Sequence, residues 1–253
     1  MNGIVALALK EFRSLFLSPL AWVVLAVMQF LLARGFLERI GQFQETASFR
    51  GAQSDAPGVT DSIAAFVLGD ATLFLLILPL MTMRAIADER RNGTLPLLLS
   101  SPLSSTGLVL GKFAGLTLFN LVLCAMVFLM PLSLAGAAAL DWGKLAAGLL
   151  GLFLLLEAVA ASGLYFSALT ASPTLAAVGG YGLLLFLLLV QAVGGTGTGE
   201  HWRALLNELA LMEHFVPFLK GVVRSRDLVY FLLFGGFFLA LSVRRIETGR
   251  LGG

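Results

Sequence analysis

The charged side chains of this sequence are few, and those that interrupt its apolar stretches are the first candidates for chemistry. Of the 253 residues, 58% are hydrophobic and only 13% are charged. The densest charged group lies between residues 84 and 112, where DERR at 88–91 is followed by Gly93, Thr94 and a run of leucines. Because charge alternates with leucine, this segment is amphipathic, and we expect one of its faces to be covered by protein or by lipid headgroups.

Local signals divide the segment 84–112 into two helices. Gly93 can adopt the positive φ that ends a helix. The first of these helices has two open interpretations: it docks in a groove of another protein, or it is an interfacial helix that only anchors the loop. A break and a new helix N-cap are expected from the serines around Pro102, which are Ser100, Ser101, Ser104 and Ser105.

Glu157 is a second candidate, since it interrupts an apolar run that begins near Leu145. At 1.5 Å per residue, it lies about 18 Å inside a membrane-crossing helix, close to the midplane. A carboxyl group at that depth is costly unless it is protonated, paired or hydrated. Two interpretations stay open: Glu157 lines a substrate path or a dimer seam, or it is protonated and hydrogen-bonded to a neighbouring helix.

Enzymatic and metal chemistry find little support in the sequence. A P-loop requires Gly-Lys followed by Ser or Thr, yet the Gly-Lys pairs at 111–112 and 143–144 are followed by Phe and Leu. Neither H-E-x-x-H nor G-x-S-x-G occurs, and His201 and His214 have no partner ligands at metal-binding spacing. We therefore expect a chain that is not an enzyme, that does not hydrolyse ATP by itself, and that binds neither a cofactor nor a metal ion.

The composition places these candidates on membrane-crossing helices. A mean hydropathy of +0.92 excludes a soluble core, a disordered chain and a coiled coil. The single cysteine, Cys124, lies in an apolar run, so we expect a buried hydrophobic side chain and no disulfide framework. Because about 20 apolar residues cross a membrane, the sequence predicts one all-α membrane domain over residues 1–253. Its six transmembrane helices are expected at about 14–37, 63–85, 107–134, 145–169, 174–193 and 227–244.

The remaining polar residues predict the orientation and the surface elements. Lys and Arg near the ends of the spans place both termini in the cytoplasm. Residues 38–62 are expected to form a polar outer loop. In the stretch 195–225 apolar residues recur at helical spacing, which predicts short outer helices that lie in the interface or pack on the bundle. Asp70 is expected to cap the outer end of the second span or to face water.

Two blocks of sequence resemble the type 2 ABC exporter permease family, and more narrowly its gliding-motility-type and nitrous-oxide-reductase-maturation-type members. The first block contains PLMTMR at 79–84, DERRNGT at 88–94 and LLSSPLS at 98–104. The second block contains His214, Phe215, Phe218, Gly221, Arg226, Asp227, Tyr230 and Phe231, and it leads into the last span and Arg244-Arg245.

The resemblance implies that the loop after the second span forms a coupling helix, which receives motion from an ATPase. Glu89 stands where such permeases carry an acidic residue that faces the nucleotide-binding subunit. The resemblance also implies an amphipathic N-terminal interfacial helix at 6–17, ahead of the first span, with an N-terminal interface at Lys10, Glu11 and Arg13. The implied ATPase-coupling residues are Asp88, Glu89, Arg90, Arg91, Gly93, Thr94, Leu98 and Pro102.

The same resemblance implies the partners of the chain. These are two copies of a cytoplasmic ABC ATPase that carry the ATP and Mg, a second permease copy or a related permease, and the lipid bilayer of a bacterial inner membrane. A large extracytoplasmic subunit is also implied, whereas no nucleic acid is expected at a net charge of +2. The candidate contacts of that outer subunit are His214, Phe215, Phe218, Gly221, Asp227 and Tyr230.

The function implied is therefore that of a permease subunit that couples ATP hydrolysis by another chain to movement of the membrane domain. One alternative is a membrane assembly factor that transmits force to an outer partner without passing a substrate. Another is a membrane enzyme or channel that does not depend on ATP.

Overall fold

The computed structural model describes residues 2–50, 58–95, 98, 104–194 and 208–251, and all regular structure in this part of the chain is helical. Among the described residues, five helices, α2, α6, α7, α8 and α10 as defined below, are long and apolar enough to cross a membrane. The elements are α1 (Asn2–Leu17), α2 (Pro19–Arg50), a π-helical turn (Thr60–Ala64), α3 (Ala65–Gly69), α4 (Ala71–Thr82), α5 (Ala87–Arg91), α6 (Ser105–Ser133), α7 (Trp142–Leu169), α8 (Pro173–Gly194), α9 (Leu211–Leu219) and α10 (Ser225–Leu251).

The first span begins later than the expected residue 14. The helix α1 ends at Leu17, and α2 begins at Pro19, because proline favours the first position of a helix. At the corner between them, the Ser18 hydroxyl oxygen accepts the Leu20 N–H at 3.3 Å. The amphipathic N-terminal helix expected at 6–17 is therefore present as a separate element, α1.

The prediction of a polar outer loop at 38–62 is wrong over residues 38–50, where α2 continues to Arg50. The stretch lacks proline, and Arg34 pairs with Glu38 one turn later at 2.9 Å, so nothing in it stops the helix. Polar composition signals exposure to water and does not by itself end a helix. Residues 51–57 lie outside the described residues.

The second span, expected as one helix at 63–85, is broken. Asp70 has ψ 57, which is not helical, and it separates α3 from α4. Asp70 occupies the N-cap position of α4, although its side chain makes no capping hydrogen bond. The helix α4 contains Pro79 and ends at Thr82, so it is too short to cross a membrane alone.

The later spans follow the prediction closely, apart from the last. The helices α6, α7 and α8 match the ranges expected at 107–134, 145–169 and 174–193. Ser104 is the N-cap of α6, and its hydroxyl oxygen accepts the Gly107 N–H at 3.0 Å. The helix α10 runs to Leu251 rather than 244, because its polar extension contains no proline and the apolar run marks only part of it.

The helix α7 lies at the centre of the bundle, in contact with α4, α6, α8, α9 and α10. Small residues on α7 allow this close approach. A Cβ at Gly151 would lie 2.5 Å from the Cβ of Phe218 in α9, and one at Gly163 would collide with the Thr82 hydroxyl of α4. Substituting either glycine would therefore push neighbouring helices away from α7.

Contacts between helix ends gather at two places, which we name the proximal and distal junctions. The proximal junction comprises Glu11, Glu89, Lys112 and Ser167, which join α1, α5, α6 and α7. The distal junction comprises Asp61, Lys144, His214 and Asp227, which lie at the π-helical turn and at the facing ends of α7, α9 and α10. The segment 60–82 runs from the distal junction towards the proximal one.

Candidate functional site

The short helix α5 carries the charged residues 88–91 and is anchored by its first turn to α7. The Ser167 hydroxyl oxygen accepts the N–H groups of Ile86 at 2.9 Å and Ala87 at 3.0 Å. The same hydroxyl donates to the Met83 carbonyl at 2.9 Å. Because the first N–H groups of a helix have no partner within it, the buried Ser167 satisfies them and fixes where α5 begins.

The other end of α5 is attached to α7 by Arg90. Its guanidinium donates to the Ala168 carbonyl at 3.0 Å, at the C-terminal end of α7. Burial lowers the pKa of Arg90, and the nearby Arg245 of α10 lowers it further. Gly93 follows with φ +67, so the expected glycine stop of this helix is confirmed. The side chains of Arg91 and Thr94 remain exposed.

The centre of the proximal junction is Lys112, whose side chain is only 1% exposed. Its ammonium donates to Glu11 Oε1 at 2.9 Å and to Glu89 Oε1 at 2.7 Å. A lysine is rarely buried unless it is paired, and here two carboxylates from α1 and α5 pair with it. One ammonium on α6 therefore connects three separate helices.

The position of Glu11 follows from the close packing of α1 on α6. A Cβ at Gly111 would lie 2.7 Å from Leu7 Cδ2, and one at Gly115 would lie 2.6 Å from Glu11 Cβ. Because these two glycines flank Lys112 on α6, the backbone of α1 can approach closely. The Glu11 carboxylate is thereby held directly over the ammonium.

Glu89 faces the protein interior. Burial raises the pKa of Glu89, and the positive charge of Lys112 opposes that shift. Its Oε2 atom is buried and has no hydrogen-bond partner among the described residues. Of the expected N-terminal interface, Glu11 also faces inward, whereas Lys10 and Arg13 are exposed.

The remaining residues expected on the coupling segment occupy different surroundings. Asp88 is half-buried. Leu98 is half-buried too, and its N–H donates to the Thr94 carbonyl at 3.2 Å. Pro102 lies outside the described residues. The exposed surface near α5 is therefore formed by Arg91, Asn92 and Thr94.

A cleft of about 250 Å³ lies beside the proximal junction, between α1, α4, α5 and the beginning of α2. Its lining combines both signs of charge with apolar side chains of α2 and α4. A cleft of this kind can receive a polar side chain of a partner. The charged residues along it are Lys10, Glu11, Arg84, Asp88, Glu89 and Lys112.

Glu157 is hydrogen-bonded within the bundle. The Thr117 hydroxyl lies 2.7 Å from Glu157 Oε2, and the Asn120 amide donates to Oε1 at 2.8 Å. Both partners belong to α6, so the expected hydrogen bond to a neighbouring helix is present. A role of Glu157 in a substrate path or a dimer seam stays a prediction.

The distal junction brings together His214, Asp227 and Tyr230. His214 Nδ1 lies 2.7 Å from Asp227 Oδ1, and Nε2 lies 3.2 Å from the Glu208 carbonyl oxygen. The imidazole stacks on Tyr230, with ring centroids 3.9 Å apart. This arrangement attaches α9 to the beginning of α10, and Gly221, with φ +78, forms the turn between them.

The helix α9 packs on the bundle. Of the two arrangements expected for the stretch 195–225, packing on the bundle is therefore the one observed for residues 211–219. Phe215 and Phe218 are buried in the core, and Phe218 fills the space left by Gly151. The buried phenylalanines support α9 rather than form its outer surface. His201 lies outside the described residues.

Within the part of the chain that the structure describes, no group of three or more His, Cys, Asp or Glu side chains could hold a metal ion. Cys124 is buried, as expected. Sequence reasoning missed Lys112 and Ser167, together with the partners of Glu157, Thr117 and Asn120. The sequence did contain a signal for Lys112, because this charged residue lies in an apolar run beside Gly111 and Gly115, which share one face of the helix.

Comparison with known proteins agrees with the resemblance to the type 2 ABC permease family. No curated protein matches this chain. The family described as ABC-2 family transporter protein matches residues 5–225, which include most of α1, the proximal junction and α9. Because this match covers most of the chain, the protein belongs to the ABC-2 transporter family and is a type 2 ABC transporter permease.

Proposed function

We propose that this permease subunit is driven by a separate ATPase that contacts α5. The observation that carries the proposal is the attachment of α5 at the proximal junction. Its first turn is held by Ser167, and Glu89 contacts Lys112, while Arg91, Asn92 and Thr94 remain exposed. A partner that displaces this exposed surface would act on α1, α6 and α7 together.

We infer a chain with six crossings and both termini in the cytoplasm of a bacterial inner membrane. The five long helices are joined by the segment 60–82, which would form a broken second span. Thr60 accepts a hydrogen bond from the Asp141 N–H at the distal junction, whereas α5 follows α4 directly at the proximal junction. The family resemblance, which implies a coupling helix after the second span, supports a position of α5 on the ATPase side of the membrane.

The complex would contain two permease copies, identical or related, and two ATPase chains that hold the ATP and Mg. For nucleotide to change the permease, each ATPase must bind α5 more favourably in one nucleotide state than in the other. The tilt of the spans would then change access at the seam between the two permeases.

Co-purification tests the ATPase contact. The tagged chain is expressed with an ABC ATPase encoded beside it, and the amount of bound ATPase is measured. Arg91→Glu should weaken binding about tenfold, because it reverses a charge on the exposed surface next to α5. The matched control is Arg224→Glu, an exposed arginine near the distal junction. Equal binding by both variants, or no ATPase with the unaltered chain, would refute the proposal.

A large extracytoplasmic subunit, as in gliding-motility-type systems, would bind beside the distal junction. The turn after α9 exposes Val222 and Val223 between the exposed cations Lys220 and Arg224. The attachment of α9 to α10 gives this apolar tip a firm support. The double variant Val222→Ser/Val223→Ser should lose the outer subunit in a pull-down, and Val229→Ser on α10 serves as the exposed apolar control.

The attachment of α9 to α10 also favours the alternative function, in which the chain transmits force to the outer subunit without translocating a substrate. Proteoliposomes that contain the full complex separate the two functions. Release of the outer partner on ATP addition, without movement of any substrate across the membrane, would identify the assembly factor.

A further inference from the structure

Three helices that are distant in sequence meet at one buried ammonium. Lys112 is separated by 101 residues from Glu11 and by 23 residues from Glu89. Within the described residues, the Lys112 ammonium provides the ion-pair contact between the first turns of α6 and the helices α1 and α5. Its burial excludes most of the water that would otherwise screen both pairs.

The two carboxylates are held differently. Glu11 belongs to a 16-residue helix that packs directly on Gly115, so its position is fixed by backbone contact. Glu89 belongs to a 5-residue helix, and its buried Oε2 lacks a hydrogen-bond partner among the described residues. The Glu89 contact is therefore the one that a force on α5 reaches first.

We propose that Lys112 is a positioning residue that makes α1, α5 and the beginning of α6 move as one unit. The inference rests on the proposed function, since an ATPase supplies the displacement of α5. When α5 moves, Glu89 draws the ammonium with it, because the Lys112 side chain is buried and Glu89 is one of the two carboxylates that pair with it. Glu11 then carries α1 in the same direction.

A distance measurement in lipid nanodiscs tests whether Lys112 holds α1 and α5 together. Nitroxide labels are placed on cysteines at the exposed positions Arg13 of α1 and Arg91 of α5, in a Cys124→Ala background that removes the buried native thiol. With Lys112 present, pulsed electron resonance should give one narrow distribution of distances between the labels. Lys112→Met should broaden that distribution about twofold, because two carboxylates then face each other without a cation.

Two further variants separate positioning from folding. The triple variant Glu11→Met/Lys112→Met/Glu89→Met removes every buried charge of the proximal junction, and it should fold because apolar replacement of a buried ion network is tolerated. It should still broaden the distribution, whereas Lys112→Arg should keep it narrow. Lys144→Met, at the exposed pair with Asp61, is the matched control and should leave it unchanged.

The nucleotide-dependent arm uses the complex with the ATPase. In the unaltered chain, trapping with ATP and vanadate should change the distance between the Arg91 positions of the two permease copies in the complex, but not the distance from Arg13 to Arg91 within one chain. In the Lys112→Met chain, the second distance should change as well. Narrow, nucleotide-independent distances in both Lys112→Met and the triple variant would overturn the inference.

If no ATPase binds the unaltered chain, the proposed function fails, whereas the nucleotide-free distances still decide whether Lys112 holds α1 and α5 together.

Discussion

The proximal and distal junctions both use buried ionisable groups to attach a short helix to the ends of long ones, yet they connect the chain over different distances. At the distal junction, His214 and Asp227 lie 13 residues apart and join the consecutive helices α9 and α10. At the proximal junction, the partners of Lys112 lie 101 and 23 residues away. The first arrangement fixes a local corner, whereas the second links separate parts of the bundle.

The two junctions also differ in how far their lysines are buried, although both lysines lie near the beginnings of consecutive long helices. Lys144 of α7 is 34% exposed and pairs with Asp61 at 2.9 Å, whereas Lys112 of α6 is 1% exposed. Water screens the exposed pair, whereas the Lys112 ammonium is almost completely shielded from it. Stability should therefore depend on charge pairing far more strongly at the proximal junction than at Lys144.

The largest effect is expected for Lys112→Met, which leaves the half-buried carboxylates of Glu11 and Glu89 facing each other without the cation between them. We expect the free energy of unfolding to fall by about 3–5 kcal/mol, measured by denaturant titration in detergent. Lys144→Met removes the corresponding lysine from the exposed pair and should cause a much smaller loss. Equal losses in the two variants would show that the junctions do not differ as described.

The next effect is expected at the distal junction. Both ring nitrogens of His214 face acceptors, which are the Asp227 carboxylate and the Glu208 carbonyl oxygen. Asp227→Asn removes the charged acceptor and should cost about 2 kcal/mol of unfolding free energy. Because this junction is local, the variant should leave the label distances across the proximal junction unchanged, and a change in those distances would contradict a purely local role.

Ser167→Ala should destabilise the anchoring of α5 rather than the whole bundle. The variant leaves the N–H groups of Ile86 and Ala87 without their shared acceptor, at a cost of about 1–2 kcal/mol. Hydrogen exchange at residues 86–91 should accelerate, while exchange in the middle of α7 stays slow. Unchanged exchange at α5 would show that another contact fixes its beginning.

The smallest effect is a dependence on pH through Glu89. Because burial raises the pKa of Glu89 in the folded state, its folded form keeps a proton above the ordinary value of 4.5. The contribution of Glu89 to stability is therefore greatest below that value and declines as the pH rises through the raised pKa. Glu89→Gln removes this dependence, so its stability relative to the unaltered chain should increase over that interval. Parallel pH profiles of unfolding would contradict the prediction.

The long apolar helices could be predicted from the sequence, because length and hydropathy alone define a crossing. The ranges of α6, α7 and α8 follow the apolar runs closely, and Gly93 ends α5 as its backbone freedom predicts. The predictions of helix boundaries were wrong at two places where the local composition does not decide them. Asp70 separates α3 from α4 within the segment that was expected to form the second span. The absence of a helix stop lets α2 continue to Arg50.

The site was less predictable, since its contacts join residues that no local pattern relates. The sequence located the charged helix α5 and the group His214, Asp227 and Tyr230. It could not show that Glu11 and Glu89 face inward, because that orientation depends on how closely α1 packs on the glycines of α6. Lys112 was interpreted only as a charge near a span end, although its burial makes it the centre of the proximal junction.

Cross-linking from the surface next to α5 tests the central claim most directly. A photoactivatable group is attached to Arg91→Cys in the Cys124→Ala background, and native membranes are irradiated with and without ATP and vanadate. The account predicts an adduct with a chain that hydrolyses ATP, with a yield that changes on trapping. Labelling of Arg91→Cys by a membrane-impermeant maleimide from outside the cell, without any ATPase adduct, would contradict it.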